Sequence, residues 1–502
     1  MNGRVLFFVA LVAQAQPTCE KLQSMTIPNV IIDRAALVPA GPFQAPGLAE
    51  PLTLPAFCRI EVQAHPVPDS DIRFELWIPP AAGWNGKFQG VGNGGYSGAL
   101  DYRSMARALN QGYATASHNT GHPGTDMRFG QGHPEKVIDY AYRAVHVMTE
   151  NAKLLIRVHT GRFAAQSYFT GCSAGGHQAL SEAQRYPEDY DGIVAGAPAN
   201  NRIRQTFGFV WFWMAAHPDG ELVLPATKLP FLAQAVTNAC DALDGLKDGL
   251  IDDPRRCRFD PAALLCKVAD NAQCLTQPQV DAVRKIYAGL KDPTTGKQIF
   301  AGFSPGSENI SGPNWINYFI TPPEPMRADL FRYFLFHDPS WDWRTIQFDR
   351  DLAYADRQLP FMNATDTNLT AFQRRNGKLL MYAGWADPVV PPEDTLAYYE
   401  AVTVAMGGPQ KTSQFARLFL APGMGHCGSG PGPNQFDSLT ALDQWVAQGK
   451  PPEKLIASHT TNGAVDRTRP LCPYPQVARY KGNGSIDDAV NFVCAAKIAP
   501  KN

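Results

Sequence analysis

Once the first fifteen residues are set aside, no stretch of this chain is apolar over the ~20 residues a membrane-spanning helix needs. Neither sign of charge dominates. Lys and Arg number 45 against 46 Asp and Glu, the net charge is −1, and no long basic run occurs, which argues against a nucleic-acid scaffold. No CxxC pair is present, so a zinc ribbon or a thioredoxin-type redox site has no ligands to work with. Internal repeats and low-complexity tracts are absent too. What remains is a 502-residue chain, 44% hydrophobic and 18% charged, with the composition of an ordinary globule. Its length allows two folding units or one domain with a large insertion. With 43 Gly and 42 Pro, many ordered loops are expected rather than a helical bundle.

The excluded first fifteen residues read as an export signal. Arg4 supplies a minimal positive region, Val5 to Ala13 is apolar, and Ala13-Gln14-Ala15 fits small-x-small cleavage. The cysteines agree. There are ten, and an even count in an exported chain suggests disulfides. Spacing leaves the connectivity open. Near neighbours favour Cys240–Cys257, Cys266–Cys274 and Cys472–Cys494, which leaves Cys19–Cys58 and Cys172–Cys427.

Ile72 to Ile78 alternates apolar and polar, as a half-buried strand does. Lys87–Val91, Tyr113–Ser117, Ala165–Thr170, Ile193–Ala195, Lys378–Tyr382 and Ala416–Leu420 read as further strands. Helical patterns cover residues 134–157, Gly176–Tyr186 and Ser438–Gln448. Strands alternating with helices imply an α/β fold with a mostly parallel sheet. Between about 201 and 370 the pattern breaks. Aromatics crowd together, four cysteines cluster, and Gly/Pro/Ser stretches interrupt every period. That segment is expected to be a lid inserted into a catalytic domain formed by residues 16–200 and 371–502.

Two short segments pair a Cys with a candidate catalytic residue: Gly171-Cys172-Ser173-Ala174-Gly175-Gly176 and Gly423-Met424-Gly425-His426-Cys427. A serine is a good nucleophile only when a base takes its proton and a third group holds that base. Ser173 falls where a strand turns into a helix, so its hydroxyl projects and the helix N-terminus faces developing negative charge. Asp387 and His426 each follow a later strand. The order Ser, Asp, His, each just past a strand end, is that of an α/β-hydrolase. If Cys172 and Cys427 join, the bond fastens the nucleophile loop to the base loop. The backbone N–H of Ala174 gives one oxyanion donor, and the loop Gly92-Asn93-Gly94-Gly95 is the natural source of a second. That loop lacks the GxGxxG spacing and distal acid of a dinucleotide site.

A second candidate site lies within the expected lid segment, in the run Cys240-Asp241-Ala242-Leu243-Asp244-Gly245-Leu246-Lys247-Asp248-Gly249-Leu250. Asp241, Asp244 and Asp248 around two glycines converge hard oxygens suited to Ca²⁺, and the carbonyls of Leu246 and Leu250 can complete the shell. The spacing is not that of an EF-hand. An acidic solvated loop is the alternative, and a metal here would be structural.

At these residues the chain resembles the tannase/feruloyl esterase family of α/β-hydrolases, which carry a Cys-Ser…Asp…His-Cys arrangement with the two Cys bonded. The resemblance extends to Tyr190-Asp191-Gly192-Ile193-Val194-Ala195-Gly196-Ala197-Pro198, the Asp-rich loop, Ala421-Pro422-Gly423 and the tail Arg469-Pro470-Leu471-Cys472-Pro473-Tyr474-Pro475. It implies an α/β-hydrolase core with a large inserted lid, a Ser173–Asp387–His426 triad, and oxyanion donors at Gly95 and Ala174. It also implies a lid Ca²⁺ held by Asp241, Asp244, Leu246, Asp248 and Leu250. The implied substrates are small aromatic acid esters: feruloyl, galloyl, or the mono(2-hydroxyethyl) ester of terephthalate. The terephthalate branch grips a carboxylate with a lid Arg and places an aromatic three positions after the triad acid, where this chain has Val390. No Lys or Arg occurs between Lys297 and Arg327, so that substrate is disfavoured. Asn314, Trp315 and Phe319 are candidates for ring contacts, with core packing the alternative for the two aromatics.

The expectation is an exported serine carboxylesterase of feruloyl type, with tannase or terephthalate half-ester activity as alternatives. Its partner is a small-molecule ester; no nucleic acid, membrane or protein partner is implied. A non-catalytic binding module on the same fold predicts a broken triad, and the triad here is intact.

Overall fold

The computed structural model describes residues 17–496; the expected export signal, residues 1–15, lies outside the described residues. Nine strands form the main sheet: β1 (Val30–Val38), β2 (Phe57–Ala64), β3 (Ile72–Ile78), β4 (Lys87–Val91), β5 (Ala114–His118), β6 (Gln166–Cys172), β7 (Gly192–Gly196), β8 (Lys378–Gly384) and β9 (Ala416–Ala421). Their spatial order is β1-β2-β3-β5-β4-β6-β7-β8-β9. Pairing is antiparallel from β1 to β5 and parallel from β5 to β9. The α/β-hydrolase core is therefore present, with an antiparallel flank on its parallel half.

Period-two alternation decides what each strand shows to each face. Phe88, Phe169, Ile193, Leu379 and Met381 are buried in one cluster with α2 (Ala144–Thr160) and α3 (Ala174–Arg185). Their neighbours Tyr168, Val194, Leu380 and Phe419 face the other side, in a cluster closed by Leu442 and Trp445 of the C-terminal helix Ser438–Gln448. The expected continuous helix over 134–157 is divided: a wide turn at Asp139–Arg143 precedes α2, with Arg143 paired to both Asp139 and Glu135.

Residues between β7 and β8 build a second core. α4 (Arg202–Ala216) is apolar nearly all round and is correspondingly buried. Phe207, Phe212 and Trp213 of α4 pack with Phe300, Phe303, Trp315, Phe319 and Phe331. The chain rejoins the sheet's own core at Ala364, just after Met362 of the lid core. The five disulfides pair Cys240–Cys257, Cys266–Cys274 and Cys472–Cys494, as near-neighbour spacing favoured, and Cys19–Cys58 and Cys172–Cys427, the two pairs that spacing left. No helix among the described residues is long and apolar enough to cross a membrane.

Candidate active site

Ser173 stands between β6 and the first turn of α3, with φ 63° and ψ −119°. A positive φ on a residue with a Cβ is strained, and such strain persists only where surrounding structure holds it. Here the Ser173 N–H donates to Gly196 O (3.0 Å), and its carbonyl accepts from His177 N (3.0 Å) and Ala199 N (3.1 Å). The turn closes only over glycines. A Cβ on Gly171 would come 2.3 Å from Gly175 O, and one on Gly176 would come 2.3 Å from Gly196 O.

Asp387 is fully buried and all its acceptor capacity is directed. Its Oδ1 accepts from Val389 N (2.8 Å) and Val390 N (2.9 Å), and Oδ2 accepts from His426 Nδ1 (2.8 Å). With Nδ1 committed as donor, Nε2 of His426 is left to act as a base. Ser173 and His426 both line a cleft of about 810 Å³, and the Cys172–Cys427 bond beside them joins their loops. No hydrogen bond links the two side chains among the described residues, and in ligand-free enzymes such bonds are commonly long. Nearby His177 is a different case. Burial pushes it down to about 3, and its Nε2 meets Ala141 O, so it stays neutral.

The loop of residues 92–95 is registered against α3. The amide of Gln178 on α3 meets Asn93 twice, Nε2 to Oδ1 at 2.6 Å and Oε1 from the Asn93 N–H at 3.2 Å. Asn93 Nδ2 also donates to His118 O (3.0 Å). The Gly95 carbonyl, at a residue with φ 60°, accepts from the Tyr140 hydroxyl (2.9 Å). Ala174, 2% exposed, opens α3 directly after the nucleophile.

Ser173 also lines a second, much smaller cavity of about 10 Å³, together with Gly95, Tyr96, Arg202, Gln205, Tyr318 and Arg327 among others. Several of its buried polar atoms have no partner: Arg202 Nε, Tyr96 Oη and Gln205 Oε1. Arg202 and Arg327 sit over the Tyr96 ring at 5.4 and 4.7 Å, and neither has a carboxylate in salt-bridge range among the described residues. The segment between Lys297 and Arg327 indeed holds no cation, yet the residue that closes it reaches the cavity beside the nucleophile. This removes the ground on which the terephthalate half-ester was disfavoured. Arg202 carried a sequence signal as well, a cation in the polar first turn of a helix that is apolar from Phe207 onward.

The expected ring contacts fare differently. Trp315 and Phe319 are fully buried in the lid core against Phe303 and each other, so the packing alternative holds and they do not line the site. Asn314 is engaged locally with Asn317 and Ile310 O. Tyr318, between them in sequence, lines both cavities instead. Val390 packs in a small cluster with Phe209, Val389 and Tyr318, and it is Val389 that reaches the cavity wall.

The acidic loop offers an all-oxygen donor set. Asp241 Oδ1 accepts from Asp248 N (3.1 Å) and Gly249 N (3.2 Å), and Asp244 Oδ1 accepts from Leu246 N (2.9 Å). Asp248 Oδ2 is paired with buried Arg469 at 2.7 Å. Burial, against the Leu246 hydrogen bond, pushes the Asp244 carboxyl above the usual range, and the Asp248 charge adds to it. Leu250 leaves the loop toward the catalytic histidine: its Cδ2 would lie 2.6 Å from a Cβ on Gly423.

A family profile described as tannase and feruloyl esterase matches residues 58–495. An uncharacterized esterase of Xanthomonas campestris is 39% identical over 96% of this chain and 92% of its own length. The mono(2-hydroxyethyl) terephthalate hydrolase of Piscinibacter sakaiensis is 34% identical over 96% and 92% of the two chains. The crystal structure of feruloyl esterase B from Aspergillus oryzae superposes with a TM-score of 0.88 at 31% identity, covering 95% of this chain and 99% of that one.

Proposed function

This chain belongs to the tannase and feruloyl esterase family and is a carboxylic ester hydrolase, and from that premise we propose that it works through a Ser173–His426–Asp387 triad on aromatic acid esters. The single observation that carries the reading is the buried Asp387–His426 contact at 2.8 Å, in a cleft that His426 shares with a strained Ser173. His426 Nε2 takes the Ser173 proton as Oγ attacks the ester carbonyl. The N–H groups of Ala174 and Gly95 meet the oxyanion, and His426 then protonates the departing alcohol. Water repeats the sequence on the acyl-enzyme and releases the acid.

The feruloyl-type reading is supported by the apolar wall of Phe209, Val389 and Tyr318 beside Ser173. A second reading has a specific observation behind it. Unpaired Arg202 and Arg327 favour an acyl group with an anion at its far end, such as the half-ester for which the Piscinibacter relative is named. Turnover on methyl ferulate, methyl gallate and the terephthalate half-ester, with and without Ser173→Ala, tests both. The expected result is loss of turnover by a factor of about 10³ or more in the variant; equal rates would sink the triad.

We assign the acidic loop a structural Ca²⁺, held by the carboxylates of Asp241, Asp244 and Asp248 and the carbonyls of Leu246 and Leu250. Five disulfides fit an oxidising compartment, which supports export to the periplasm or the medium.

A further inference from the structure

A hydrogen-bond donor stabilises an oxyanion fully only if it already points where charge will develop, because turning it during the reaction cancels the gain. The donor assigned to Gly95 sits in the loop Gly92-Asn93-Gly94-Gly95, and glycine is the least restrained residue a loop can use. That loop joins β4 to α1 (Tyr102–Asn110). The strand ladder ends at Val91, and the last backbone bond to β6 is from Gly92 N to Thr170 O (3.0 Å). What fixes Gly95 must therefore come from side chains.

Two side chains do so, one on each side of Gly95 along the chain. On the earlier side, Gln178 is 2% exposed and stands on the second turn of α3, the helix that Ser173 opens. Its Oε1 accepts from the Asn93 N–H (3.2 Å) and its Nε2 donates to Asn93 Oδ1 (2.6 Å). Asn93 Nδ2 donates to Ser97 O (3.1 Å) and His118 O (3.0 Å), so a flipped Asn93 amide would set oxygen against oxygen. The approach is close: a Cβ on Gly92 would lie 2.7 Å from Gln178 Oε1. On the later side, the Tyr140 hydroxyl donates to Gly95 O (2.9 Å). Tyr140 stands on the wide turn Asp139–Arg143, a device that re-aims side chains and recurs at functional sites. Its ring stacks on Tyr96, with centroids 4.7 Å apart and planes 11° from parallel. Burial pushes the phenol pKa up, so the hydroxyl stays a donor.

Neither Gln178 nor Tyr140 lines the cleft or the small cavity at Ser173. We propose that both are positioning residues: Gln178 ties the Gly95 loop to the nucleophile's own helix, Tyr140 fixes the peptide that follows Gly95, and together they hold its N–H in register with Ser173. The inference deepens the reading above and rests on ester hydrolysis at Ser173 with Gly95 as a donor. Misalignment of that donor is felt in the transition state, so it lowers kcat and leaves KM in place.

Gln178→Glu separates positioning from folding. The ionised carboxylate can still accept from the Asn93 N–H but opposes Asn93 Oδ1, and flipping the Asn93 amide only moves the clash to His118 O. Once protonated, the carboxyl donates to Oδ1 as the amide did, and burial raises the pH at which that happens. The readout is the ratio of variant to wild-type kcat on methyl ferulate between pH 5 and pH 8, in which protonation of the shared base His426 cancels. The ratio is expected to be about 0.1 at pH 8 and to rise about threefold or more toward pH 5, with KM within about twofold. Tyr140→Phe removes one oxygen and keeps the stack on Tyr96. It is expected to lower kcat about tenfold at every pH, with KM unmoved. Both variants are assayed well below their melting temperatures at each pH, so that only folded enzyme is read. A ratio flat in pH, a KM that rises while kcat holds, or a Tyr140→Phe kcat within about twofold of wild type overturns the proposal. Wild-type protein inert toward methyl ferulate overturns the hydrolase reading instead, and this inference with it.

Discussion

Asp387 is fully buried and held by three N–H donors, so its orientation is fixed before substrate arrives. An Asn in its place keeps the volume but offers an N–H where an acceptor is needed, and turns His426 toward the wrong tautomer. Asp387→Asn is expected to lower kcat by about 10⁴ with little change in KM. Steady-state kinetics on methyl ferulate checks it, and a drop below tenfold counts against the assigned role. Arg327 works differently. Its φ of 68° and its place over Tyr96 hold a guanidinium beside Gly95, with no carboxylate in salt-bridge range among the described residues. Arg327→Ala is expected to reduce kcat/KM for the terephthalate half-ester about tenfold or more, relative to methyl ferulate. If the two substrates fall together, the guanidinium serves the fold or the oxyanion loop rather than an acyl anion.

Among elements, α3 carries both the nucleophile at its start and a buried acid near its end. Glu182 is fully buried, and neither of its oxygens has a hydrogen-bond partner. Burial, then the charge of Asp189, raises its carboxyl well above the usual value, so it is neutral in the fold. Asp189 is held in turn by His146 at 2.7 Å. Below the ordinary carboxylate pKa Glu182 is protonated folded or unfolded and its contribution is complete. As pH rises through that value the unfolded chain alone ionises, and stability is lost until the raised folded pKa is reached. Glu182→Gln is therefore expected to match wild type near pH 4 and to melt about 2 °C or more higher at pH 8, by calorimetry at both values. Equal melting points at pH 8 would mean the acid is ionised and satisfied. The same scale shows what the sequence made legible. β3 and β4 fall at their expected limits, because alternation in one and a glycine stop in the other are local signals. β2 alternates as cleanly, with Ile60, Val62 and Ala64 inward, and was readable on the same rule. β1 was not: its register slips between Ile32 and Arg34, and Ile31 and Leu37 face solvent. α4 hid for the opposite reason, since burial on every side leaves no periodic face. The placement of Ser173, Asp387 and His426 was legible because each follows a strand end in chain order. The place of Arg327 and the lining of the cleft at Ser173 and His426 were not, because they depend on which segments meet across the fold.

At the scale of the whole molecule, the catalytic histidine loop is where sheet, lid and acidic loop converge. Cys427 bonds it to the nucleophile loop across a sequence separation of 255. Ile310 of the lid would come within 2.6 Å of a Cβ on Gly425, and Leu250 of the acidic loop equally close to one on Gly423. Both contacts lie within three residues of His426, at glycines that let the packing come that near. An ion in the acidic loop would thus stiffen more than its own ligands. Arg469 extends the same path, bound to Asp248 at 2.7 Å and stacked on Phe492 at 4.1 Å, so the C-terminal hairpins lean on the loop as well. Chelation is expected to lower the melting temperature, by the linkage that gives about 2.7 kcal/mol at a hundredfold excess of ion over Kd. It is also expected to lower kcat, because a loosened Gly423–His426 turn blurs the proton-transfer geometry. Adding Ca²⁺ back should restore both, and Asp244→Asn should reproduce both without chelator. A melting curve indifferent to chelator and to Asp244→Asn would show that the carboxylates are balanced by Arg469 and backbone N–H groups alone. A shift in melting with kcat unmoved would instead mean that the disulfide and Ile310 suffice to hold His426, and that Leu250 fills space without steering it.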